Sequence, residues 1–545
     1  MKIPNTLIRA SAGSGKTFQL TNRFIQLLVA DVAPEKVIAL TFTKKAAGEF
    51  FEGILTKLAK ASSSADEAKR LAKELAHGVD ELPPLGKADF ATALRRLVDS
   101  MPQLALGTID SFFHRMLGLF PFEFGLGGEF EIMSEFERGR VRSDVLERLF
   151  ESKQANRGAH DAIIESHRLA SAGRDKRSLV AELAKHLKDC HELFIRKSAG
   201  EYWGDPVRIW PLGNPWVKSK ANLEKLMDDL EVELNRHDDF TDVIVEAWQS
   251  SLDHLKAWAP GKKIYPGRSP SSILQQALDS LKTLGDCGWE FSYYKKPYKV
   301  SDLFACLLSE VLCHFVACEL ELKFVRTKGI HSLLGLFERH YDDQIRRTGR
   351  LTFSDFPILL APGEDRPSLG GRGPTRLDIE YRLDGQFDHW LLDEFQDTSR
   401  MQWRVFENLI DEVVQDPEGQ RTLFCVGDPK QSIYQWRGGD PTLFDRLESR
   451  YQAGSTEEFS VCSLDQSWRS CSEVLSLVNA VFGDAGILAE YDEFGAGVSR
   501  WNEIWKPHAS AKSGETGHAM YLTVESKEDR WPLVAELLRE STFRA

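Results

Sequence analysis

The sequence predicts an α/β protein that is built on a parallel sheet and carries a large helical insertion. Residues 1–120 alternate between short apolar runs, such as 37–40, and segments with helical apolar spacing, such as 18–29. Strands that alternate with helices are typical of a parallel sheet. Long helical patterns then dominate the middle of the chain, and apolar runs typical of buried strands return near residue 388. The second half of the chain is therefore predicted to complete the sheet.

These changes of pattern divide the chain into four predicted segments. Residues 1–124 and 349–454 are predicted to form the two parts of one parallel-sheet domain, with a mainly helical insertion over 125–348. Residues 455–545 are predicted to begin a further α/β domain that is incomplete. A chain of 545 residues is long enough for roughly two to four domains, which agrees with this division.

The individual elements follow from the same apolar periodicities. Strands are predicted near residues 7–8, 37–40, 390–392, 423–426, 458–463 and 519–525. Helices are predicted over residues 18–29, 45–61, 135–153, 177–195, 219–235, 240–258, 302–325, 330–347 and 530–541. The stretch 362–376 is rich in Gly, Pro and Arg, and we expect it to form a mobile loop.

Composition limits the class of protein only weakly. The net charge is −13, from 69 basic and 82 acidic side chains, but an acidic total can coexist with a basic groove that binds nucleic acid. No stretch approaches 18 uninterrupted apolar residues, and the N-terminal segment has no secretory apolar core. The eight cysteines are scattered, which is typical of reduced thiols. We therefore expect a cytoplasmic protein that does not use a membrane.

The strongest local motif is a glycine-rich phosphate-binding loop between a predicted strand and a predicted helix. Its glycines allow backbone N–H groups to surround phosphate, Lys16 is predicted to reach the β- and γ-phosphates, and Thr17 is predicted to give a hydroxyl to Mg²⁺. The predicted ATP-binding residues are Ala10, Ser11, Ala12, Gly13, Ser14, Gly15, Lys16 and Thr17. The strand–loop–helix context makes a chance match less favoured.

A second motif places two adjacent carboxylates at the end of the predicted strand 390–392. Asp393 is predicted to hold Mg²⁺, and Glu394 is predicted to activate the attacking water. Standing alone, the pair would be interpreted as a solvated strand end, but a phosphate-binding loop in the same chain favours catalysis. Both motifs together predict nucleotide hydrolysis. The two motifs leave open the class of protein, because kinases, switches, transporters and motors all contain such a phosphate-binding loop.

Four further segments select a DNA motor. They are LTFTKKAA from Leu40, GTIDSFF from Gly107, GDPKQSIYQWRGG from Gly427 and LDQSWRS from Leu464. These segments resemble, in family order, conserved motifs of the UvrD-like superfamily 1 DNA helicases, and the motif DEFQDT resembles the RecB and AddA branch of that family. The resemblance implies a RecA-like first motor domain, the helical insertion called 1B, and the start of a second RecA-like domain called 2A.

The resemblance also implies residue roles. Gln431 is similar to the family residue that senses the γ-phosphate, Arg469 to the arginine that reaches it from the second motor domain, and Trp436 to an aromatic residue that stacks on a base. Further predicted DNA contacts are Thr41, Phe42, Thr43, Lys44, Thr108, Phe112 and Tyr434. For Phe42 and Phe112, packing in the core is the alternative, and for Arg469 it is a cation–π pair on the surface.

The leading hypothesis is an ATP- and Mg²⁺-dependent translocase or helicase that moves along single-stranded or partly duplex DNA. The resemblance implies 3′→5′ polarity and a repair or recombination role, with a possible nuclease partner subunit. Nothing after Ser470 resembles the last two motor motifs of the family. That departure motivates an alternative, an ATP-dependent DNA-binding subunit without motor activity in a repair or phage-defence complex.

Overall fold

A computed structural model describes most of the chain, which divides into two compact units. The first unit is Met1–Glu131 with Leu351–Ala545, and the second is Ile132–Arg350. The described residues are 3–77, 79, 82–151, 179–218, 222–237, 240–265, 273–284, 288–361, 376–383, 387–435, 438–452, 459–484, 486, 494–512, 514–520, 522–526 and 528–540. The predicted mobile loop at 362–376 lies outside them, except for its last residue.

The described strands number twelve. They are β1 (Thr6–Ala10), β2 (Val37–Thr41), β3 (Ala105–Thr108), β4 (Glu131–Ile132), β5 (Glu290–Tyr293), β6 (Lys296–Lys299), β7 (Arg350–Leu351), β8 (His389–Leu392), β9 (Thr422–Gly427), β10 (Ser460–Leu464), β11 (Gln466–Ser467) and β12 (Ala509–Ser510). Six of them form one sheet in the first unit, in the order β10-β1-β9-β8-β2-β3. Every pairing in this sheet is parallel, as the sequence predicts.

The first strand lies inside this sheet with a partner on each side. Leu7 is in register with Cys425 of β9 and with Val461 of β10. All residues of β2, β8 and β9 are buried, which explains why these strands are continuously apolar in the sequence. Because all six strands run in the same direction, the residues that follow them meet at one edge of the sheet.

Helices of the first unit cover the sheet and provide its core. The described helices are Lys16–Val29, Lys44–Ser63, Ala65–Leu75, Lys87–Asp99, Ile109–Leu119, Asp355–Leu360, Arg376–Leu383, Arg400–Val414, Leu443–Gln452, Ser472–Phe482, Gly495–Ile504 and Arg530–Glu540. Fully buried Phe24 and Phe50 pack edge to face, with ring centroids 5.8 Å apart. Leu391 and Val426 of the sheet belong to the same apolar cluster.

The prediction that a separate α/β domain begins near residue 455 is wrong for its first strand. That strand, β10, pairs with β1 over five residues and so extends the first sheet. The strand predicted at 519–525 is not present among its described residues, of which 519–520 and 522–525 are irregular. The polypeptide described after β10 contains three helices and the two-residue parallel pair of β11 with β12.

The second unit is mainly helical, as predicted. Its described helices are Glu135–Glu151, Leu179–Arg196, Pro206–Ile209, Leu223–Leu234, Asp242–Lys256, Ile273–Asp279 and Asp302–Gln344. The two helices predicted over 302–325 and 330–347 form one helix of 43 residues. The predicted break is therefore wrong, because residues 326–329 continue the helix.

The long helix contributes to two apolar cores of this unit. Phe304 and Leu312 belong to the core that surrounds Trp248, whereas Leu334 and Phe337 belong to a second core near the other end of the helix. Within the described part of the chain, one helical stretch, Asp302–Thr348, is long and apolar enough to cross a membrane by length and composition alone. Apolar residues of this helix, among them Phe304 and Leu334, lie in the two buried cores.

A buried ionic cluster lies in the second unit. Arg346 is fully buried and pairs with Glu338, which also receives a hydrogen-bonding contact of 2.7 Å from His191 Nε2. Burial alone would raise the pKa of Glu338, but the Arg346 guanidinium and the His191 contact lower that pKa to about 2. The folded unit therefore holds Glu338 charged.

Replacing Glu338 by Gln is expected to lower the free energy of unfolding of the second unit by up to about 3–5 kcal/mol, because buried Arg346 loses the carboxylate of Glu338 and keeps that of Asp342, at 3.3 Å. The folded pKa lies below the ordinary value of 4.5. The stabilisation is therefore complete above pH 4.5 and is lost as the pH falls towards 2. Urea unfolding monitored by circular dichroism at several pH values measures both effects.

The matched control is Glu201→Gln, which breaks the exposed pair between Arg208 Nη1 and Glu201 Oε1 at 3.0 Å. Solvent screens that pair, so its loss should leave unfolding essentially unchanged. Equal effects of the two substitutions would contradict the role given to the buried cluster.

Candidate active site

The predicted phosphate-binding loop connects β1 to the helix Lys16–Val29 at the carboxyl edge of the sheet. Gly13 and Gly15 have positive φ angles of 72° and 93°, which residues with a side chain rarely adopt. Ser14 Oγ donates a hydrogen bond of 2.7 Å to the carbonyl of Ser11, which closes the turn. The loop thus has the compact geometry that its glycines predict.

A segment after β10 lies directly on this loop. The backbone N–H of Trp468 donates to the Gly13 carbonyl at 2.8 Å. A Cβ atom on Gly13 would lie 2.7 Å from Arg469 Cβ and 2.8 Å from Ser467 Oγ. Tertiary structure therefore brings the predicted Arg469 beside the phosphate-binding loop, with its side chain exposed.

The two predicted catalytic carboxylates face the same loop from the end of β8. Lys16 Nζ lies 2.5 Å from Glu394 Oε2, so the lysine of the loop and the predicted water-activating carboxylate form an ion pair. Asp393 is buried and its Oδ1 accepts a hydrogen bond from the Glu394 N–H at 3.0 Å. Glu394 itself has the left-handed values φ 48° and ψ 43°, which are uncommon outside glycine and are often found at functional sites.

The polar groups at this edge fit a magnesium ion. Burial and the charge of Glu394 raise the pKa of Asp393 to about 6, so a cation would stabilise its ionised form. Thr17 is exposed at the start of the helix and has a hydroxyl to offer. Carboxylate and hydroxyl oxygens are the ligands that Mg²⁺ prefers.

Gln431 lies near the site, where its side chain is hydrogen-bonded to Asp428. Its Nε2 donates to Asp428 Oδ2 at 2.6 Å, in the loop that follows β9. Lys430, from the same loop, lies 3.4 Å from Ser11 Oγ and 3.2 Å from Asp428 Oδ1 through its Nζ. The loop after β9 is thus connected to the phosphate-binding loop, while contact between Gln431 and a γ-phosphate stays a prediction.

Three of the residues predicted to contact DNA are buried in the folded protein. Thr41 is fully buried and its hydroxyl donates to the Thr43 carbonyl at 2.9 Å. Thr108 is 8% exposed and caps the next helix, accepting from the Ser111 N–H at 3.1 Å. Phe112 packs among Phe113, Trp390 and Phe406, so core packing is the correct alternative for its ring. None of the three offers surface to a phosphate or a base.

Four other predicted DNA contacts remain accessible. Thr43 and Lys44 are exposed at the start of the helix after β2. The half-buried rings of Phe42 and Tyr434 contact each other, with centroids 4.7 Å apart. This contact connects the segment after β2 with the loop after β9. Trp436 lies outside the described residues, so its predicted stacking on a base stays a prediction.

Two residues in the site were not assigned a role from the sequence. Gln396 is 1% exposed and joins Glu394 to the backbone of Asp428 by hydrogen bonds of 2.6 Å and 2.9 Å. Asp428 is likewise buried and organises Lys430 and Gln431. The signal that could have found them is their position, because each follows a buried strand at the same sheet edge as the predicted carboxylates.

Comparison with known proteins agrees with this geometry. The family model described as the UvrD/REP helicase N-terminal domain matches residues 3–268 and 308–452. Individual relatives match over most of the chain. The "Exonuclease/helicase subunit RexA" of Streptococcus pneumoniae serotype 4 is 26% identical over 514 residues, which covers 88% of this chain and 38% of that protein.

A second relative comes from another genus. It is a protein of Listeria welshimeri, named as one subunit of an "ATP-dependent helicase/nuclease", and it is 24% identical over 505 residues. The match again covers 88% of this chain and 38% of the relative. The chain therefore spans about two fifths of the length of these curated relatives.

Replacing Gly13 by Ala is expected to weaken nucleotide binding roughly 5- to 30-fold, because a left-handed alanine costs about 1–2 kcal/mol. Its methyl group would also displace Ser467 and Arg469. Fluorescence titration with a labelled ADP measures the affinity.

Gly48→Ala is the matched control, since a Cβ there meets no atom within 4 Å inside the helix Lys44–Ser63. We expect unchanged affinity and a small gain in stability for that variant. Normal affinity of Gly13→Ala would show that the loop does not hold phosphate in this conformation.

Proposed function

The chain belongs to the UvrD/REP helicase family, and from that membership and the site geometry we propose that it hydrolyses ATP to move along single-stranded or partly duplex DNA. The observation that carries the proposal is the ion pair between Lys16 and Glu394, beside which the segment Ser467–Arg469 lies on the phosphate-binding loop. Phosphate-binding, water-activating and charge-stabilising groups thus lie at one sheet edge. This is the set that phosphoryl transfer to water needs.

The proposed chemistry assigns one task to each side chain. Backbone N–H groups of residues 12–16 bind the phosphates, and Lys16 leaves Glu394 to contact the γ-phosphate. Glu394, freed of that ion pair, accepts a proton from the attacking water. The water oxygen bonds to the γ-phosphorus as the bond from that phosphorus to the bridging oxygen breaks, and ADP leaves. Thr17 and Asp393 would hold Mg²⁺, which supplies positive charge against the phosphate oxygens. Arg469 turns towards the transferred group and stabilises its charge in the transition state.

The DNA contacts are proposed on the accessible residues after β2 and β9. Thr43 and Lys44 offer a hydroxyl and a cation to the DNA backbone, and Tyr434 with Phe42 offers aromatic surface to a base. Trp436, in the same segment as Tyr434, is proposed to stack on a neighbouring base. Because the loop after β9 also contacts Ser11, DNA binding there can influence the nucleotide site.

The relatives' printed names support a wider assignment. Each name describes one subunit of a helicase that is paired with nuclease or exonuclease activity, which implies a DNA substrate together with a partner protein. We propose that this chain acts in DNA repair or recombination with a nuclease partner, in the cytoplasm, with 3′→5′ polarity as the family resemblance implies.

A second candidate function is ATP-dependent DNA binding without motor activity. The observation that favours it is the ion pair between Lys16 Nζ and Glu394 Oε2 at 2.5 Å. While that pair holds, Glu394 does not act as a base towards water. A site that keeps the pair would bind nucleotide and DNA without turnover.

The ATPase rate of this chain, measured with and without single-stranded DNA, separates the two candidates. The motor proposal expects DNA to increase the rate strongly, and Lys16→Ala to abolish turnover while the circular dichroism spectrum shows an intact fold. Binding of both ATP and DNA without turnover would favour the second candidate. Normal turnover of Lys16→Ala would contradict the assignment of the phosphate-binding loop.

Trp436→Ala is expected to weaken single-stranded DNA binding by about 1–3 kcal/mol, because stacking on one base is lost. Fluorescence anisotropy with a labelled oligonucleotide measures the change. Trp531→Ala, at an exposed tryptophan outside the predicted DNA segments, is the matched control and should bind normally. Equal affinity of both variants would return Trp436 to a packing role.

A further inference from the structure

The amide of Gln396 lies between the predicted water-activating carboxylate and the loop that follows β9. Gln396 Nε2 donates to Glu394 Oε2 at 2.6 Å, and Gln396 Oε1 accepts from the backbone N–H of Asp428 at 2.9 Å. A carboxylate only accepts hydrogen bonds and an N–H only donates, so these two partners fix the orientation of the amide. With 1% of its surface exposed, Gln396 has no solvent to replace either bond.

The surroundings have room for this amide because of a glycine. A Cβ atom on Gly427, the last residue of β9, would lie 2.3 Å from Gln396 Oε1. Glycine at this position therefore lets the amide reach the Asp428 N–H. Ser432 Oγ also donates to the Gln396 carbonyl at 3.3 Å, which gives a second connection to the same loop.

From Gln396, hydrogen bonds and then the backbone of the loop after β9 lead to the accessible aromatic residues. Asp428 accepts hydrogen bonds from Gln431 and Lys430 in the loop after β9. Further along this loop, the Tyr434 ring contacts the Phe42 ring. The backbone of residues 428–434 and the hydrogen bonds of Asp428 and Gln396 thus form a route by which a displacement of these rings would reach Glu394.

The amide of Gln396 shares the Glu394 carboxylate with Lys16. Glu394 Oε2 accepts from both Lys16 Nζ and Gln396 Nε2. When Lys16 turns to a phosphate, Gln396 remains to hold the carboxylate. The backbone of Glu394 has a left-handed conformation, which is strained and persists only where neighbouring groups fix it. The hydrogen bond from Gln396 is one such interaction.

We propose that Gln396 is a positioning residue that couples the loop after β9 to Glu394, so that DNA bound at Phe42 and Tyr434 sets the geometry of ATP hydrolysis. This inference rests on the proposed function. Gln396 does not touch the nucleotide in this role; it acts through Glu394 and Asp428.

Two substitutions at Gln396 separate its two hydrogen bonds. Gln396→Met keeps a similar volume and loses both bonds. Gln396→Glu keeps an acceptor for the Asp428 N–H but places an acceptor against Glu394. The matched control is Gln26→Met, because Gln26 is also buried and its Nε2 donates to the carbonyls of Leu75 and His77 at 2.7 Å and 3.1 Å, away from the site.

The first readout is turnover of the full 545-residue chain with and without single-stranded DNA. Both Gln396 variants should lower the DNA-stimulated kcat about 10–100-fold, the usual cost of losing a partner that orients an active-site group, with little change in KM for ATP. Gln26→Met should keep the wild-type ratio of stimulated to basal rate. Wild-type stimulation in both Gln396 variants would overturn the inference alone and leave the proposed function intact.

The second readout is amide hydrogen exchange in residues 427–434, which needs no turnover. Exchange should become faster in Gln396→Met and stay close to wild type in Gln396→Glu and Gln26→Met. If the wild-type chain shows no turnover, the proposed motor function fails, but exchange still decides whether Gln396 holds the loop. Unchanged exchange in Gln396→Met would overturn the coupling role.

Discussion

The parallel pairing of β1 with a strand on each side is the constraint on which the site depends. The partners β9 and β10 come from the far end of the chain, more than 400 residues after β1, yet they place three carboxyl ends next to each other. The phosphate-binding loop follows β1, the loop with Asp428 follows β9, and the segment with Arg469 follows β10. Without this register, none of these groups would lie within contact of the others.

The site concentrates polar groups that are expensive to bury. Asp393, Gln396 and Asp428 are almost completely buried, and each makes hydrogen bonds that reduce the cost of losing water. Asp397 Oδ1, close by, has no hydrogen-bond partner within the described residues, and burial with the charge of Glu394 raises the pKa of Asp397 to about 6. Buried polar groups with shifted pKa values are typical of active sites, where they are positioned for a reaction before the substrate binds.

The helical unit is organised by one long helix and a buried ionic cluster. Its long helix extends through 43 residues, contributes apolar side chains to two cores and ends at Gln344. The ionic cluster of Arg346 and Glu338 is located there, where the helix gives way to a short turn. A buried ion pair of this kind adds little net stability, because both charges lose water. Removing one partner nevertheless destabilises the protein strongly, because the other charge stays buried.

Short-range sequence patterns predict the local chemistry of this protein. The apolar runs of β1, β2, β8 and β9, the glycines of the phosphate-binding loop and the paired carboxylates after β8 are all short-range patterns. They were therefore predictable residue by residue. The segments that resemble helicase motifs also predict the family, and the family model confirms it.

Packing in three dimensions controls which side chains reach the surface and which residues they contact. Thr41, Thr108 and Phe112 lie in motifs expected to touch DNA, but the packing of the sheet and its helices buries them. The pairing of β10 with β1, the uninterrupted helix at 302–344 and the bridging position of Gln396 could not be predicted. Each depends on contacts between residues far apart in the chain, whereas sequence periodicity reports only on neighbours along it.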